Sequence, residues 1–191
     1  YRAFTYAVIK KGLDPKSEEQ SVTLIPGMSI ELLEDGRVIC NNEDVSKVIR
    51  EPLVSGNVSY IAAMKPVRLA LVEMQRAMAE KKSVVMDGRD IGTYVLPDAE
   101  VKIYQIASVE TRAVRRYEEN LEKGINTTLK EVEEDVRKRD YIDSHREFAP
   151  LKPAPDSVLI DTSYMNVDQV VSRILAVIKE KTGIETENIC H

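Results

Sequence analysis

Asp87, Arg89 and Asp90 fall within four consecutive positions, and they follow a short apolar run, S-V-V-M, at residues 83–86. An arginine between two carboxylates can fork onto a phosphate, while a carboxylate can accept from an amino group or order a hydrated cation. Gly88 and Gly92 permit tight turns and close approach of a ligand to the backbone. The Val and Met run has the length of a buried strand and stops at a D-G turn signal, so residues 83–87 are expected to form a strand. That strand would carry the three charges to its carboxyl end, the edge where open α/β sheets bind ligands. The same pattern also fits a βα turn whose Asp caps the next helix and whose Arg is solvated.

Two more stretches group arginine with acid. Ser108 is suited to cap a helix running to Lys123, with Gly124 beyond its end, and Arg112, Arg115 and Arg116 are expected to share one side of it. T-L-K-E at residues 128–131 is a capping-box pattern opening another helix. Along it Arg139, Asp143 and Arg146 follow at i, i+4 and i+7, which aligns them on one face. Taken alone, that helix reads as a wet charged surface, since exposed intrahelical pairs contribute only about 0.3–0.5 kcal/mol each. Taken together, the three regions suit phosphoryl transfer, which needs several phosphate oxygens neutralised where water is excluded. Two Arg-bearing helices joined by a Gly-containing loop also suit a lid.

The remaining elements must position these groups. Residues 1–11 have apolar positions at 4, 7 and 8 and a stop at Gly12, which predicts a helix. Residues 14–20 read as a polar connection. From residue 21 to 41 the period is two, with strands expected at 21–25, 29–33 and 37–40 and an E-D-G turn making a hairpin. This small antiparallel sheet reads first as structural. Residues 42–50 are expected to form a short helix ended by Pro52. Residues 59–82 are mainly helical, with Val67, Ala70, Leu71, Met74, Ala77 and Met78 on the buried face, so Ser59 and Arg68 are expected outside that stripe. Residues 101–107 and 157–161 read as buried strands, and Asn166 caps a last helix to about Lys181. Strand and helix in alternation predict an α/β fold with a parallel sheet.

Gross composition excludes several classes of function. The 191 residues carry a net charge of −5 with 43% apolar content, enough for one sizeable core and a small inserted lobe. The acidic balance and the absence of Trp argue against a nucleic-acid partner. Cys40 and Cys190 form no metal or disulfide signature, and with only His145 and His191 a histidine-rich metal site is excluded. No stretch has the length of a membrane span. A soluble cytoplasmic protein is expected.

D-G-R-D-I-G-T, then L-P-D-A-E-V-K-I-Y, then A-S-V-E-T-R-A-V-R-R-Y, then R-K-R-D-Y-I-D-S-H-R-E-F-A-P-L-K-P-A closely resemble the bacterial cytidylate kinases, nucleoside monophosphate kinases. S-Y-I-A-A-M-K-P-V-R and the hairpin extend the resemblance to nearly the whole chain apart from its C-terminal tail. It implies a three-layer P-loop-type parallel sheet core with helices on both faces, formed by residues 1–19 and 58–191. It also implies an inserted monophosphate-binding lobe at 20–57 and a helical lid at about 112–146. The reaction implied is phosphoryl transfer from ATP to CMP or dCMP, with Mg2+, by a monomer. Ser59, Arg68 and Asp90 would read the cytosine edge, and Arg139 and Asp143 would hold the ribose hydroxyls. Arg2, Arg89 and Arg146 would grip the acceptor phosphate. Arg112 and Arg116 match the lid arginines that meet the ATP adenine and phosphates, and Asp87 could order the hydrated magnesium. By this resemblance Arg89, Arg116 and Arg146 are the catalytic candidates.

One departure is large. The family's phosphate loop, G-x-x-x-x-G-K-[ST], cradles ATP with backbone N–H groups and a lysine, and none of the eight glycines here is followed by Lys. The loop and its strand are expected just ahead of Tyr1, in a strand-turn-helix unit of roughly 30 residues. A non-catalytic nucleotide-binding protein lacking that loop is the rival expectation.

Overall fold

The computed structural model describes residues 1–80 and 83–185 of the 191; Cys190 and His191 lie outside them. The chain divides into two compact units. The first unit is residues 1–85 with 146–148, and the second is residues 86–145 with 149–191.

The first unit is built on helix α1 (Arg2–Lys10), whose apolar positions bring Phe4 and Val8 to complete burial. Gly12 ends it with φ +71°, a left-handed conformation that glycine adopts without a Cβ penalty. The expected polar connection contains a short helix α2 (Glu18–Val22), capped by Ser17, whose side chain accepts from Gln20 N–H. This corrects the strand expected at 21–25: its first residues belong to α2, and the Thr23, Leu24 and Ile25 N–H groups return to Gln20, Ser21 and Val22 as turns. The expected hairpin does form, with β1 (Ile30–Leu32) antiparallel to β2 (Val38–Cys40) and Gly36 at φ +83° in the turn. Its third strand is β3 (Glu43–Asp44), which pairs with β2. Residues 42–50 are thus not one helix but this strand followed by a single 3-10 turn, Val48–Arg50.

Two helices close the unit. Pro52, expected to end a helix, instead starts α3 (Pro52–Ala63) from its first turn, where a missing N–H costs nothing. A break at Met64 leads into α4 (Lys65–Ala79), again with proline in the first turn. Phe4, Val8, Val45, Ile49, Ile61, Val67 and Leu71 belong to one buried cluster, so the hairpin segment and the helices share a core. Full burial of each such side chain contributes roughly 1.5–3 kcal/mol.

Residues 83–87, which run from the last residues of the first unit into the second, precede a turn of wide helix at Ile91–Val95. The strand expected at 83–87 does not form: the described residues place no ladder partner on it, and Val85 is fully exposed. The expected three-layer parallel sheet is represented by two parallel strands, β4 (Ile103–Ile106) and β5 (Val158–Asp161), with Ile103 opposite Val158. Helices α5 (Val109–Glu122) and α6 (Leu129–His145) pack together as a hairpin, and α7 (Val167–Thr182) follows β5. The predicted caps are all present: Ser108 accepts from Thr111, Thr128 and Glu131 form a reciprocal box, and Asn166 does the same with Gln169. No described helix is long and apolar enough to cross a membrane.

Candidate active site

In the second unit the site grows from residues 87–90. A Cβ on Gly88 would come within 2.9 Å of the Ile91 side chain, so the turn has room only for glycine without movement of Ile91. Asp90 then goes inward, 4% exposed, and its carbonyl accepts from the N–H groups of Tyr94 and Val95, which fixes the wide turn behind it. Asp87 stays exposed.

Arg89 Nε donates to Asp143 Oδ2 at 3.1 Å, across 54 positions of sequence, and Arg139 Nε lies 3.7 Å from the same oxygen. The Asp143 side chain is 4% exposed. A carboxylate this buried is tolerated because cations and hydrogen bonds replace its water. At Asp143 the helix is therefore not the wet charged surface expected, while elsewhere on it only Val132 is buried. The alignment with Arg146 fails as well: α6 stops at His145, and Arg146 belongs to the first unit.

The three arginines of α5 do not act as one side. Arg112 forks onto Asp140 with Nη1 and Nη2 at 2.8 and 2.7 Å, while its Nε donates to the Ala107 carbonyl at 3.0 Å. Arg115 donates to the Thr162 and Met165 carbonyls, 2.7 and 2.9 Å, tying α5 to the turn after β5. Arg116 reaches Glu119 at 3.1 Å. A second clamp joins the two helices, with Arg137 between Glu133 on its own helix and Glu110 on α5. Sequence reading missed Asp140 as a partner of Arg112. The available signal was symmetry, since both lie 14 positions from Asn126 in a helical hairpin.

The first unit holds the other candidates. Arg2 Nη1 donates to the Ile49 carbonyl at 3.0 Å and to Ser55 Oγ at 2.6 Å, which directs it at the start of α3. Ser59 and Arg68 are buried, 7% and 1% exposed, not surface groups off an apolar stripe. Arg68 donates from Nη1 to the Ala62 carbonyl at 2.7 Å, at the break between α3 and α4, and its guanidinium carbon sits 5.1 Å from the centre of the Tyr1 ring. Helical periodicity misjudged it because an arginine with carbonyl and aromatic partners can be buried like an apolar residue. Arg146 is 8% exposed, next to Phe148, over whose ring Lys65 Nζ sits at 5.5 Å.

Among the described residues, no three His, Cys, Asp or Glu side chains are grouped to hold a metal ion. Magnesium that keeps waters and phosphate oxygens needs only one or two carboxylates, and exposed Asp87 fits that demand.

The family model described as cytidylate kinase matches residues 1–180. The chain is 48% identical over 178 residues to a cytidylate kinase of Oceanobacillus iheyensis, covering 92% of this chain and 77% of that protein. A cytidylate kinase of Ligilactobacillus salivarius is 44% identical over 184 residues, covering 95% of this chain and 82% of the relative. One of Bacillus cereus is 44% identical over 181 residues, 93% and 80% respectively.

The chain belongs to the cytidylate kinase family. Asp90, Arg68, Ser59 and Asp143 are all buried. These are polar groups kept out of water, the condition under which hydrogen bonds discriminate most strongly between ligands.

Proposed function

We propose that the cytidylate kinase reaction of this family, phosphoryl transfer from ATP to CMP or dCMP, runs here on the residues just placed, in a P-loop-type fold. Ser59, Arg68 and Asp90 take the cytosine edge, where buried polar groups penalise a base that leaves them unpaired. Arg139 and Asp143 take the ribose hydroxyls. Arg2, Arg89 and Arg146 neutralise the acceptor phosphate, and Arg112 and Arg116 meet the donor.

The observation that carries the reading is the convergence of Arg89 and Arg139 on Asp143. Two stretches separated by about fifty positions meet at one buried carboxylate, which holds Arg89 where a phosphate can reach its remaining donors. An oxygen of the acceptor phosphate forms the new bond to the γ-phosphorus, and the bond from γ-phosphorus to the β,γ-bridging oxygen breaks, its electron pair leaving on ADP. The acceptor is already anionic, so no general base is required. Arg89, Arg116 and Arg146 stabilise the charge spread over the transferring oxygens. Magnesium, when bound through water at Asp87, supplies further charge neutralisation of the donor phosphates.

The 191 residues contain no G-x-x-x-x-G-K-[ST] pattern, so the test uses the intact gene product. ADP formation from ATP should depend on added CMP or dCMP. CMP binding by calorimetry without any turnover would instead identify a nucleotide-binding protein, and absence of both would end the proposal.

A further inference from the structure

Every in-plane edge of the Arg112 guanidinium that could fork onto an oxyanion is already engaged. The Nη1/Nη2 edge is filled by both oxygens of Asp140, and the Nε/Nη2 edge has lost its Nε–H to the Ala107 carbonyl. An incoming phosphate would have to displace a carboxylate making two charge-assisted bonds. The side chain is 34% exposed, and the flat face of a guanidinium can be used without any N–H group. Guanidinium faces attract aromatic rings. Arg116, one turn along α5, has a single contact to Glu119 and keeps its other N–H groups for phosphate oxygens.

We infer that Asp140 is a positioning residue of the donor site, fixing the plane of Arg112 so that its face meets the purine ring. The inference rests on the proposed function, in which Arg112 meets ATP. It adds the reason that an acid stands beside a donor-site arginine: the acid spends the N–H groups and sets the plane. The Arg137 clamp between Glu110 and Glu133 holds the two helices together independently. Asp140, 37% exposed, is thus not the sole tie between α5 and α6.

The test is steady-state kinetics on the intact gene product carrying Asp140→Ala, Asp140→Asn or Asp140→Glu, with thermal melting alongside. Removing the charge-assisted pair should raise KM for ATP about tenfold, the scale of one charged hydrogen bond, and should leave KM for CMP unmoved. The preference for ATP over a pyrimidine triphosphate donor should fall, and Asp140→Glu should recover part of it. Arg112→Lys keeps the charge but has no plane, so combining it with Asp140→Ala should add little to either change alone. Parallel rises in both KM values, unmoved KM for ATP, or fully additive changes would overturn the inference while wild-type turnover stands. A wild-type product that fails to phosphorylate CMP would overturn the proposed function, and with it the role given to Asp140.

Discussion

Asp90 has the surroundings of a group whose hydrogen bonds discriminate. It is 4% exposed, its carbonyl anchors a wide turn, and it follows a glycine whose replacement would collide with Ile91. In the proposed role its carboxylate takes the cytosine amino group, so Asp90→Ala should weaken CMP binding by about 1.5–3 kcal/mol, one charged hydrogen bond. Calorimetric affinity equal to wild type would remove Asp90 from the base-reading set. At this scale the sequence was readable where structure is local: the glycine of D-G-R-D announced a tight turn, and a Cβ there would meet Ile91. It was unreadable where partners come from afar. Nothing near Asp143 announces that Arg89 will cover it. Nothing near Arg68 announces that the Ala62 carbonyl and the Tyr1 ring let a guanidinium be 1% exposed.

Among elements, α6 depends on its first turn. Thr128 Oγ1 accepts from Glu131 N–H at 3.2 Å, and Glu131 Oε2 accepts from Thr128 N–H at 2.7 Å. Thr128→Ala should cost about 1 kcal/mol of stability. The Thr128 N–H first, and its hydroxyl second, hold the Glu131 carboxyl below its ordinary value of 4.5. A carboxylate depressed in the fold contributes stability that is present above 4.5 and lost as pH falls through its folded value. Glu131→Gln should accordingly melt below wild type at neutral pH, and the difference should shrink on acidification; a difference constant down to pH 3 would show that the box is not acting through charge. Caps of this kind were legible because donor and acceptor lie three residues apart, and so were α1, the hairpin and α7. Residues 83–87 were misread for the opposite reason: an apolar run has strand propensity, but a ladder needs a neighbour, and the described residues supply none. The 21–25 misreading has a local cause. Ser17 caps a helix more effectively than three β-branched residues and a leucine can oppose it.

At the scale of the molecule, apolar burial is unevenly shared. In the first unit Phe4, Val8, Ile61, Val67 and Leu71 sit in one contiguous cluster with residues of the hairpin segment. In the second, the described buried apolar residues are Val95, Ala113, Val132, Ala154, Ile160 and Val177, none bulkier than isoleucine. One face of its two-stranded sheet leaves Leu159 60% and Ile106 36% exposed. Local opening free energy follows buried apolar contact, so the two units should open at different cost. In the absence of nucleotides, amides of α1 and α4 should resist hydrogen exchange longer than those of β4 and β5. Ligands that bind only the folded state add RT ln(1 + [L]/Kd) to the stability of whatever must be closed to bind them. Saturating CMP with a non-hydrolysable ATP analogue should therefore slow exchange most in α5, α6 and the 87–95 turn, where Arg112, Arg116, Arg139, Asp143, Arg89 and Asp90 lie. Protection gained instead only in the hairpin of β1 and β2 would mean that nucleotides bind through the first unit alone, and that the arginines of α5 and α6 serve the fold rather than the reaction.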